Sequence, residues 1–310
     1  MPVLSVRHLT RYRYRNPVAF GEHRMMFRPR EGCDQRLLDS SLMIAPIPVH
    51  LHQVQDVFGN WIGVARFSGR SDELSFESSF TLDHTPLPLF GDASGDAGDF
   101  GWGKTFAYSL EEFPDLAWSI QPQHPDPDGV LAAWARRFVK PAGETSLQHL
   151  LADMTQAIYA NLKYGKRLER GVQTPLTTLE SHNGTCRDFA VLMMEAVRSL
   201  GLAAQFVSGY IHSPSRKAGL AERTGGGHTH AWLRVYLPSC GWVEFDPTNG
   251  IVGNTDLIRV AVVRDPQQAT PLHGAWFGQP ADFLAMDVEV EVDEYAGALP
   301  DNRARLTAFG

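Results

Sequence analysis

The sequence predicts an α+β protein in which an antiparallel sheet domain precedes a domain of helices and antiparallel strands. In the first 85 residues, polar and apolar residues alternate over segments such as 5–14 and 73–82, which is the period of a half-buried strand. Apolar residues at helical spacing begin only near residue 128, and further strand-like segments follow these helices. Helices followed by a run of antiparallel strands are typical of the α+β class.

The N-terminal β domain, residues 1–85, is expected to be an antiparallel sandwich or a barrel-like sheet. Its segment 58–61 (FGNW) predicts a tight hairpin turn, because Gly and Asn tolerate positive φ. Residues 86–128 follow as an irregular connector rich in Gly, Asp and Pro, which is typical of chain that runs over a surface. A second domain with trailing strands is expected over residues 129–296, and a C-terminal tail over residues 297–310.

The second domain is predicted to contain four helices and, after them, five strands. Asp128 and Ser146 can cap the first two helices, and Pro175 suits the first position of the third. The fourth helix runs from about Cys186 to Leu200. Strands are expected at residues 203–210, 230–237, 242–246, 257–263 and 287–292.

Composition limits the classes of partner and the compartment. The chain has 310 residues and a net charge of −7, so a surface for nucleic acid or for an anionic membrane, which needs clustered Lys and Arg, is not expected. Its apolar runs are shorter than the roughly 18 residues of a membrane span, and the N-terminal segment MPVLSVRHLTRYRYR carries Arg, His and Tyr where a signal peptide has an apolar core. Three cysteines are too few for a disulfide framework. We therefore expect a cytoplasmic protein.

Cys186 is the strongest candidate for a nucleophile. It lies in the segment 183–188 (NGTCRD), at the start of the fourth predicted helix. Unpaired backbone N–H groups and the positive end of the helix dipole stabilise a thiolate at such a position. The alternative at this point is a buried structural cysteine, which is the commoner role of the residue.

A nucleophilic cysteine needs a base and a group that orients the base. A hairpin is predicted over residues 228–247 (HTHAWLRVYLPSCGWVEFDP). Its apolar residues lie on one face only if the two residue numbers of each cross-strand pair add up to an even number. A register that pairs Arg234 with Glu244 brings opposite charges together. In that register His230 and Asp246 are diagonal neighbours on one face, about 7–8 Å apart at Cα. We therefore expect this His and this Asp to converge with the thiol at the helix start.

Six motifs of the chain occur together in one known family. Residues 145–250 contain GTCRD, THAWLRVY and GWVEFDPTNG, and the N-terminal part contains HLTRYRYRNPV, RMMFRPR and DVFGN. The first three resemble the core of the bacterial transglutaminase-like family, which belongs to the papain-like thiol enzymes, and the others resemble the β domain that precedes this core in bacterial members. The resemblance implies a papain-like transglutaminase core in which Cys186 is the nucleophile, His230 the base and Asp246 the orienting acid.

The resemblance also implies the chemistry. A thiolate attacks a peptide or carboxamide carbonyl to give a thioester, which an amine or water then resolves. We expect a protein or peptide substrate, with a peptide conjugate as one form of it, and neither a cofactor nor a metal. The alternatives are a cysteine peptidase or amidase, a peptide-binding module without catalysis, and a metal site that would combine His228 with Cys186, His230 and Asp246.

Several features outside this set receive weaker predictions. Cys33, in a loop, and Cys240, in the hairpin turn, are expected to have no function. Residues 213–227 are polar and rich in Gly, and they are expected to form a surface loop, with a flap over the site as the alternative. The backbone N–H of Cys186 is a candidate oxyanion donor, and a second donor is not assigned. The N-terminal β domain is expected to be structural or to recruit a partner or substrate.

Overall fold

The computed structural model describes residues 3–86, 99–101, 105–165, 171–213, 223–238 and 240–295. Over these ranges the chain has the predicted α+β class, with two large antiparallel sheets. The expected C-terminal tail, residues 297–310, lies outside the described residues. So do residues 214–222, the middle of the segment for which a flap is the alternative.

The order of the elements follows the predicted change from strands to helices and back to strands. In chain order they are β1 (Val3–Met25), β2 (Gln35–Ala45), β3 (His50–Gln55), β4 (Trp61–Arg66), β5 (Arg70–His84), β6 (Asp99–Gly101), α1 (Phe113–Ile120), α2 (Val130–Arg136), β7 (Glu144–Ser146), α3 (Leu147–Asn161), β8 (Lys163–Tyr164), α4 (Pro175–Ser181), β9 (Asn183–Gly184), α5 (Cys186–Ser199), β10 (Ala204–Ile211), β11 (His230–Leu237), β12 (Gly241–Asp246), β13 (Ile251–Val252), β14 (Leu257–Val263), β15 (Leu272–Phe277) and β16 (Phe283–Glu294). The four predicted helices are present as α2 to α5.

One helix was not predicted. α1 lies within residues 86–128, which were expected to be an irregular connector. It has eight residues and Pro114 in its first turn, and only Leu116 and Ser119 are buried along it. So short a helix shows too few apolar positions for a helical period to be recognised, and the surrounding Gly and Pro residues obscure it further.

The long strand β1 organises the first sheet. Residues 3–13 pair with β5 on one side and with β16 on the other, whereas residues 23–25 pair with β4 and β15. Between these parts the pairing with β5 shifts in register from Arg13 to Val18, across Pro17, which has no N–H to donate. One strand thus changes partners along its length, and the sheet curls. Five of its seven strands have the order β2-β5-β1-β4-β3, and the other two, β15 and β16, both pair with β1.

The C-terminal strands complete this first sheet. Residues 287–292 were predicted to be a strand that trails the second domain, and they lie within β16. β16 pairs with eleven residues of β1, from Leu4 to Tyr14. The last described strand therefore belongs to the same sheet as the first. Alternation of polar and apolar residues predicts that a strand forms, but it does not identify the strand's partner.

The second sheet has the order β13-β12-β11-β10-β14 and packs on α5. Apolar side chains of α5 share one core with those of the β11–β12 hairpin; among them are Phe189, Leu192 and Met193 from the helix and Leu233 and Phe245 from the hairpin. All five are fully or almost fully buried. The core therefore fixes the start of α5 relative to the hairpin.

β14 is an edge strand of the second sheet, and side chains from the N-terminal part of the chain cover that edge. The Asn60 carboxamide donates to the carbonyl of Val262 (2.8 Å) and accepts from the N–H of the same residue (2.9 Å). Gln35 makes the same two bonds with Arg259, at 2.7 and 3.0 Å. Each carboxamide thus takes the place of a neighbouring strand, which protects the edge from pairing with another chain.

A buried ion cluster joins the same two parts of the chain. Arg259 donates two bonds to the carboxylate of Asp34, at 2.7 and 2.9 Å, and a further bond to Glu244. Glu244 also accepts a bond from the indole N–H of Trp232 (3.1 Å). Burial disfavours the charged guanidinium, but the two carboxylates outweigh this effect and raise the pKa of Arg259.

No helix of the described residues is long and apolar enough to cross a membrane.

Replacing Arg259 with Met is expected to lower the free energy of unfolding by about 3–5 kcal/mol, because Asp34 and Glu244 would stay buried without their cation. Arg66→Met is the matched control, since Arg66 pairs with Glu22 on the exposed surface, and it should lose about 0–1 kcal/mol. Urea denaturation followed by circular dichroism measures both values. Equal losses in the two variants would contradict a special role for the buried cluster.

Candidate active site

Cys186 is the first residue of α5, and the chain makes a tight turn into it. The Asp188 carboxylate accepts bonds from the Thr185 N–H (2.8 Å) and hydroxyl (2.9 Å) and from the N–H of Gln173 (2.8 Å). A Cβ on Gly184 would lie 2.9 Å from the Asp188 Cβ, so this position has no room for a side chain. The Asp188 carboxylate therefore stabilises the turn through these hydrogen bonds. Cys186 lies at the positive end of the helix dipole.

His230 and Asp246 form a buried pair on the neighbouring hairpin. Their Nε2 and Oδ2 atoms are 2.8 Å apart, and both side chains are wholly buried. β11 and β12 have the predicted register, with Leu233 opposite Phe245. The expectation that this His and this Asp lie side by side on one face is therefore confirmed.

The second imidazole nitrogen and the thiol complete the description of His230. The Nδ1 atom of His230 has no hydrogen-bond partner among the described residues. The Cys186 sulfur is close enough to the imidazole to favour its charged form. The structure thus brings together all three residues that the sequence singled out, with His230 between the other two.

The electrostatics of the pair favour charge separation. Burial disfavours a charged imidazolium, but the Asp246 carboxylate and the Cys186 sulfur outweigh this effect and raise the pKa of His230. Burial would likewise raise the pKa of Asp246, but His230, the Asn249 amide and the Thr248 N–H all bond to the carboxylate, and the pKa is lowered. Both shifts of pKa favour a charged imidazole beside a charged carboxylate.

Asn249 is a site residue that sequence reasoning missed. Its Nδ2 atom donates to the Asp246 carboxylate at 2.7 Å and to the carbonyl of Thr224 at 3.1 Å, and its Oδ1 atom accepts from the Thr224 N–H at 2.9 Å. It ties the end of the predicted flap segment, residues 223–227, to the acid of the pair. The available signal was its place in the DPTNG motif, three residues after Asp246.

Gly225, in this tied segment, lies against the imidazole. Its φ is +98°, and a Cβ at this position would lie 2.5 Å from the His230 Nδ1 atom. Nearby Gly227 also has a positive φ, of +83°, but a Cβ there would have nothing within 4 Å. The backbone at residue 225 is therefore part of the wall around the base, and the backbone at residue 227 is not.

Trp232 supports the base from the same strand. Its indole stacks on the imidazole of His230, with ring centroids 5.9 Å apart and planes inclined by 28°. The indole N–H bonds to Glu244, which belongs to the ion cluster with Arg259. The ring beside the base is thus anchored, through Arg259, to Asp34 in the N-terminal part of the chain.

One expected contact is not formed. Arg234 and Glu244 are paired in register, as predicted, yet the Arg234 guanidinium donates to the Gln205 carboxamide (2.7 and 2.9 Å) and stacks on Trp242. Glu244 instead bonds to Trp232 and Arg259. The prediction of an ion pair between Arg234 and Glu244 was wrong. The buried Glu244 carboxylate binds Arg259 of the edge strand β14, which lies deeper than Arg234.

The remaining candidates lie apart from this pair. Cys33 and Cys240 are exposed free thiols, whereas Cys186 is only 8% exposed. His228 is exposed, in contrast to His230 on the same stretch of chain. Within the described ranges, no group of three or more His, Cys, Asp and Glu side chains has the arrangement of a metal site.

The raised pKa of His230 makes stability depend on pH. The folded state binds the proton of His230 more tightly than the unfolded state does. The stabilisation that this proton gives is therefore complete below the ordinary histidine pKa of about 6.5, and it is lost as pH rises through the raised pKa of the folded state. We expect the difference in unfolding free energy between Cys186→Ala and Cys186→Ala/His230→Gln to shrink from about pH 6 to about pH 9. Urea denaturation measures it, and the Cys186→Ala background removes the titration of that thiol.

The control for this prediction is His228→Gln in the same background, because that side chain is exposed and makes no contact with Asp246. Its effect on the free energy of unfolding should stay within about 0.5 kcal/mol at every pH. A His230→Gln effect that stayed constant or grew with rising pH would mean that His230 is not stabilised as a cation in the folded protein.

Comparison with known proteins agrees with this architecture. The sequence profile of the bacterial transglutaminase-like N-terminal region matches residues 4–83, which form most of the first sheet, and that of the transglutaminase-like superfamily matches residues 132–247, which contain Cys186, His230 and Asp246. Together the two profiles cover more than half of the chain.

Similar proteins extend over almost the whole length. An uncharacterized protein of Mycobacterium bovis is 27% identical over 299 residues, 94% of this chain and 93% of its own length. An uncharacterized protein of Mycobacterium leprae is 38% identical over 121 residues, 39% of this chain and 41% of its own length. A crystal structure from Cytophaga hutchinsonii, provisionally named a cysteine protease, has the same fold, with a TM-score of 0.65, 19% identity, and coverage of 96% of this chain and 93% of that one.

The N-terminal profile, the superfamily profile and the shared fold agree with one another along the chain. On these grounds the chain belongs to the bacterial transglutaminase-like family, in which the N-terminal β region is followed by the core of a thiol-enzyme superfamily.

Proposed function

We propose that this protein is an enzyme that transfers the acyl group of a peptide or carboxamide substrate, with Cys186, His230 and Asp246 as its catalytic triad. One observation carries the proposal. The Nε2 atom of His230 is held by Asp246 at 2.8 Å, Nδ1 has no hydrogen-bond partner among the described residues, and the imidazole is near the thiol of Cys186 at the start of α5. An oriented base next to an activated thiol is the arrangement that nucleophilic catalysis requires.

In the first half-reaction the Cys186 thiolate attacks the carbonyl carbon of the amide. A C–S bond forms, and the carbonyl electron pair moves to the oxygen, where the backbone N–H of Cys186 can donate to it. The intermediate collapses with cleavage of the C–N bond. His230 gives its Nδ1 proton to the departing amine, and a thioester remains on Cys186.

In the second half-reaction an acceptor resolves the thioester. An incoming amine or water gives a proton to His230 Nδ1 as it attacks the carbonyl carbon, and the Cys186 thiolate leaves. Asp246 keeps the imidazole in one orientation during both steps and stabilises its charged form.

The alternative is a cysteine peptidase or amidase, which would form the same thioester and release it to water. The name given to the Cytophaga hutchinsonii structure favours this alternative. A peptide-binding module without catalysis needs no imidazole oriented by a carboxylate. We therefore propose a protein or peptide as the partner. The three free thiols support a reducing, cytoplasmic location as part of the same proposal.

The first test is the rate of alkylation by iodoacetamide at each cysteine, read by mass spectrometry against pH. Cys186 is expected to react faster than Cys33 and Cys240 at neutral pH despite its burial, and His230→Ala should slow it by about tenfold or more. Cys33 and Cys240 are the internal controls, and their rates should not change. If Cys186 reacts no faster than these two, the thiolate–imidazolium pair does not exist.

A second test uses the two glycines near the base. Gly225→Ala should displace His230 and reduce both Cys186 alkylation and any amide turnover by at least about tenfold, because the new methyl group meets the Nδ1 atom. Gly227→Ala is the control, since it has the same positive-φ strain with open space around it. If both variants lose reactivity equally, strain in the loop, and not contact with the base, explains the loss.

The acceptor can be read from the products. Wild-type protein is incubated with a glutamine-containing peptide library, with and without a primary amine, and the products are separated by mass spectrometry. Amine-adducted peptides support acyl transfer, and cleaved or deamidated peptides alone support the hydrolytic alternative. If Cys186→Ala forms the same products in equal amounts, the thiol mechanism is wrong.

A further inference from the structure

A small cavity at the first sheet is lined by residues of both β2 and β3. Its volume is about 120 Å³, which accommodates a group of a few heavy atoms. Strands β2 and β3, at the two ends of the sheet order, approach each other here because the sheet is curled. Its polar lining comprises Arg28, Ser40, Ser41, Gln53 and Ser78.

Arg28 provides the cation of this cavity. Its guanidinium stacks over the indole of Trp61, 4.9 Å from the ring centroid, and its Nε atom is buried without a hydrogen-bond acceptor among the described residues. The neighbouring arginines are used differently: Arg24 pairs with Glu22, and Arg30 bonds to Asn60. No acidic side chain lines the cavity in the part of the chain that the structure describes.

The charge and shape of the Arg28 side chain determine which class of ligand the cavity can bind. The guanidinium presents a planar fork of N–H donors that matches the two oxygens of a carboxylate. Stacking on Trp61 fixes the plane of this fork and leaves its edge directed away from the ring. The cavity lining therefore includes a guanidinium that Trp61 holds in place and that can bind an oxyanion.

The rest of the lining indicates what the oxyanion is attached to. Ser78 is 5% exposed, and its hydroxyl can donate to a second oxygen atom. Part of the wall is apolar and includes Phe27, Leu42 and Phe80. An oxyanion carried on a short carbon group can contact both the polar and the apolar side chains of this lining.

We propose that this cavity binds a carboxylate carried by a small apolar group, the chemistry found at the carboxyl end of a peptide and in a short free carboxylic acid. Arg28 binds the carboxylate, Ser78 donates to it, and Trp61 holds the guanidinium plane. This inference concerns the first sheet alone and does not depend on the thiol chemistry proposed for Cys186. It gives the N-terminal region, to which no catalytic residue belongs, a binding role of its own.

The test is a titration of Cys186→Ala, which has no thiol chemistry, with N-acetyl-L-alanine, followed by tryptophan fluorescence. Seven tryptophans contribute to the signal, so Trp61→Phe assigns the response to the cavity. A saturable change that N-acetyl-L-alanine amide does not produce is expected, because the amide lacks the charge. Arg28→Gln should weaken binding by about tenfold or more, the effect of losing a charge-assisted hydrogen bond.

Arg36→Gln is the matched control, because Arg36 lies exposed on β2 and its loss changes the net charge by the same amount. It should leave binding unchanged. Equal weakening by the two variants, or equal binding of the neutral amide, would overturn the proposal. Should Arg28→Gln fail to fold, as judged by its thermal unfolding midpoint, Ser78→Ala serves instead, and unchanged affinity in that variant overturns the proposal.

Further titrations separate the sources of the carboxylate. Propionate that binds as well as N-acetyl-L-alanine supports a free acid as the ligand, and weaker binding of propionate supports a peptide carboxyl end. Inorganic phosphate that binds more tightly than either would overturn the assignment of a carboxylate.

Discussion

The contact between Arg259 and the carboxylates of Asp34 and Glu244 holds the two parts of the chain in one structure. Arg259 lies on the edge strand β14, Asp34 precedes β2, and Glu244 lies on the hairpin that carries His230 and Asp246. An ion cluster of this kind tolerates little displacement, because each charge is expensive to bury without its partners. The carboxamides of Gln35 and Asn60 add directional bonds to the same strand, so the first sheet serves as the missing neighbour of the second.

The geometry of the site follows from this fixed hairpin. The parity of a β-hairpin places His230 and Asp246 on one face, and the core between α5 and the hairpin brings the N-terminus of the helix to the same place. The base then has a carboxylate on Nε2, an aromatic ring on its face and a glycine against Nδ1. Each contact removes one direction in which the imidazole could move, so little reorganisation is needed when a charge develops in the site.

The first sheet has two roles in this picture. It covers the edge of the second sheet, and its own closure depends on both ends of the chain, because β15 and β16 pair with β1. It also has a cavity lined by Arg28, which stacks on Trp61 and whose Nε atom has no hydrogen-bond partner among the described residues. Residues that stabilise the interface and residues that line the cavity lie in adjacent segments, Arg30 with the interface and Arg28 with the cavity. A single short motif, RMMFRPR, therefore serves both purposes.

The sequence by itself determined which segments form helices and strands and how strands adjacent in the chain pair. The four helices α2 to α5, the β11–β12 register and the convergence of His230 with Asp246 all follow from period and parity, because these are properties of consecutive residues. Only the tertiary structure decided the partners of distant segments. In the tertiary structure β16 pairs with β1, and Glu244 binds Arg259 instead of Arg234. Asn249 and Gly225 lie around the base. The physical reason is that a local pattern fixes which face of an element is buried, whereas the atoms that meet that face come from parts of the chain that no local pattern connects.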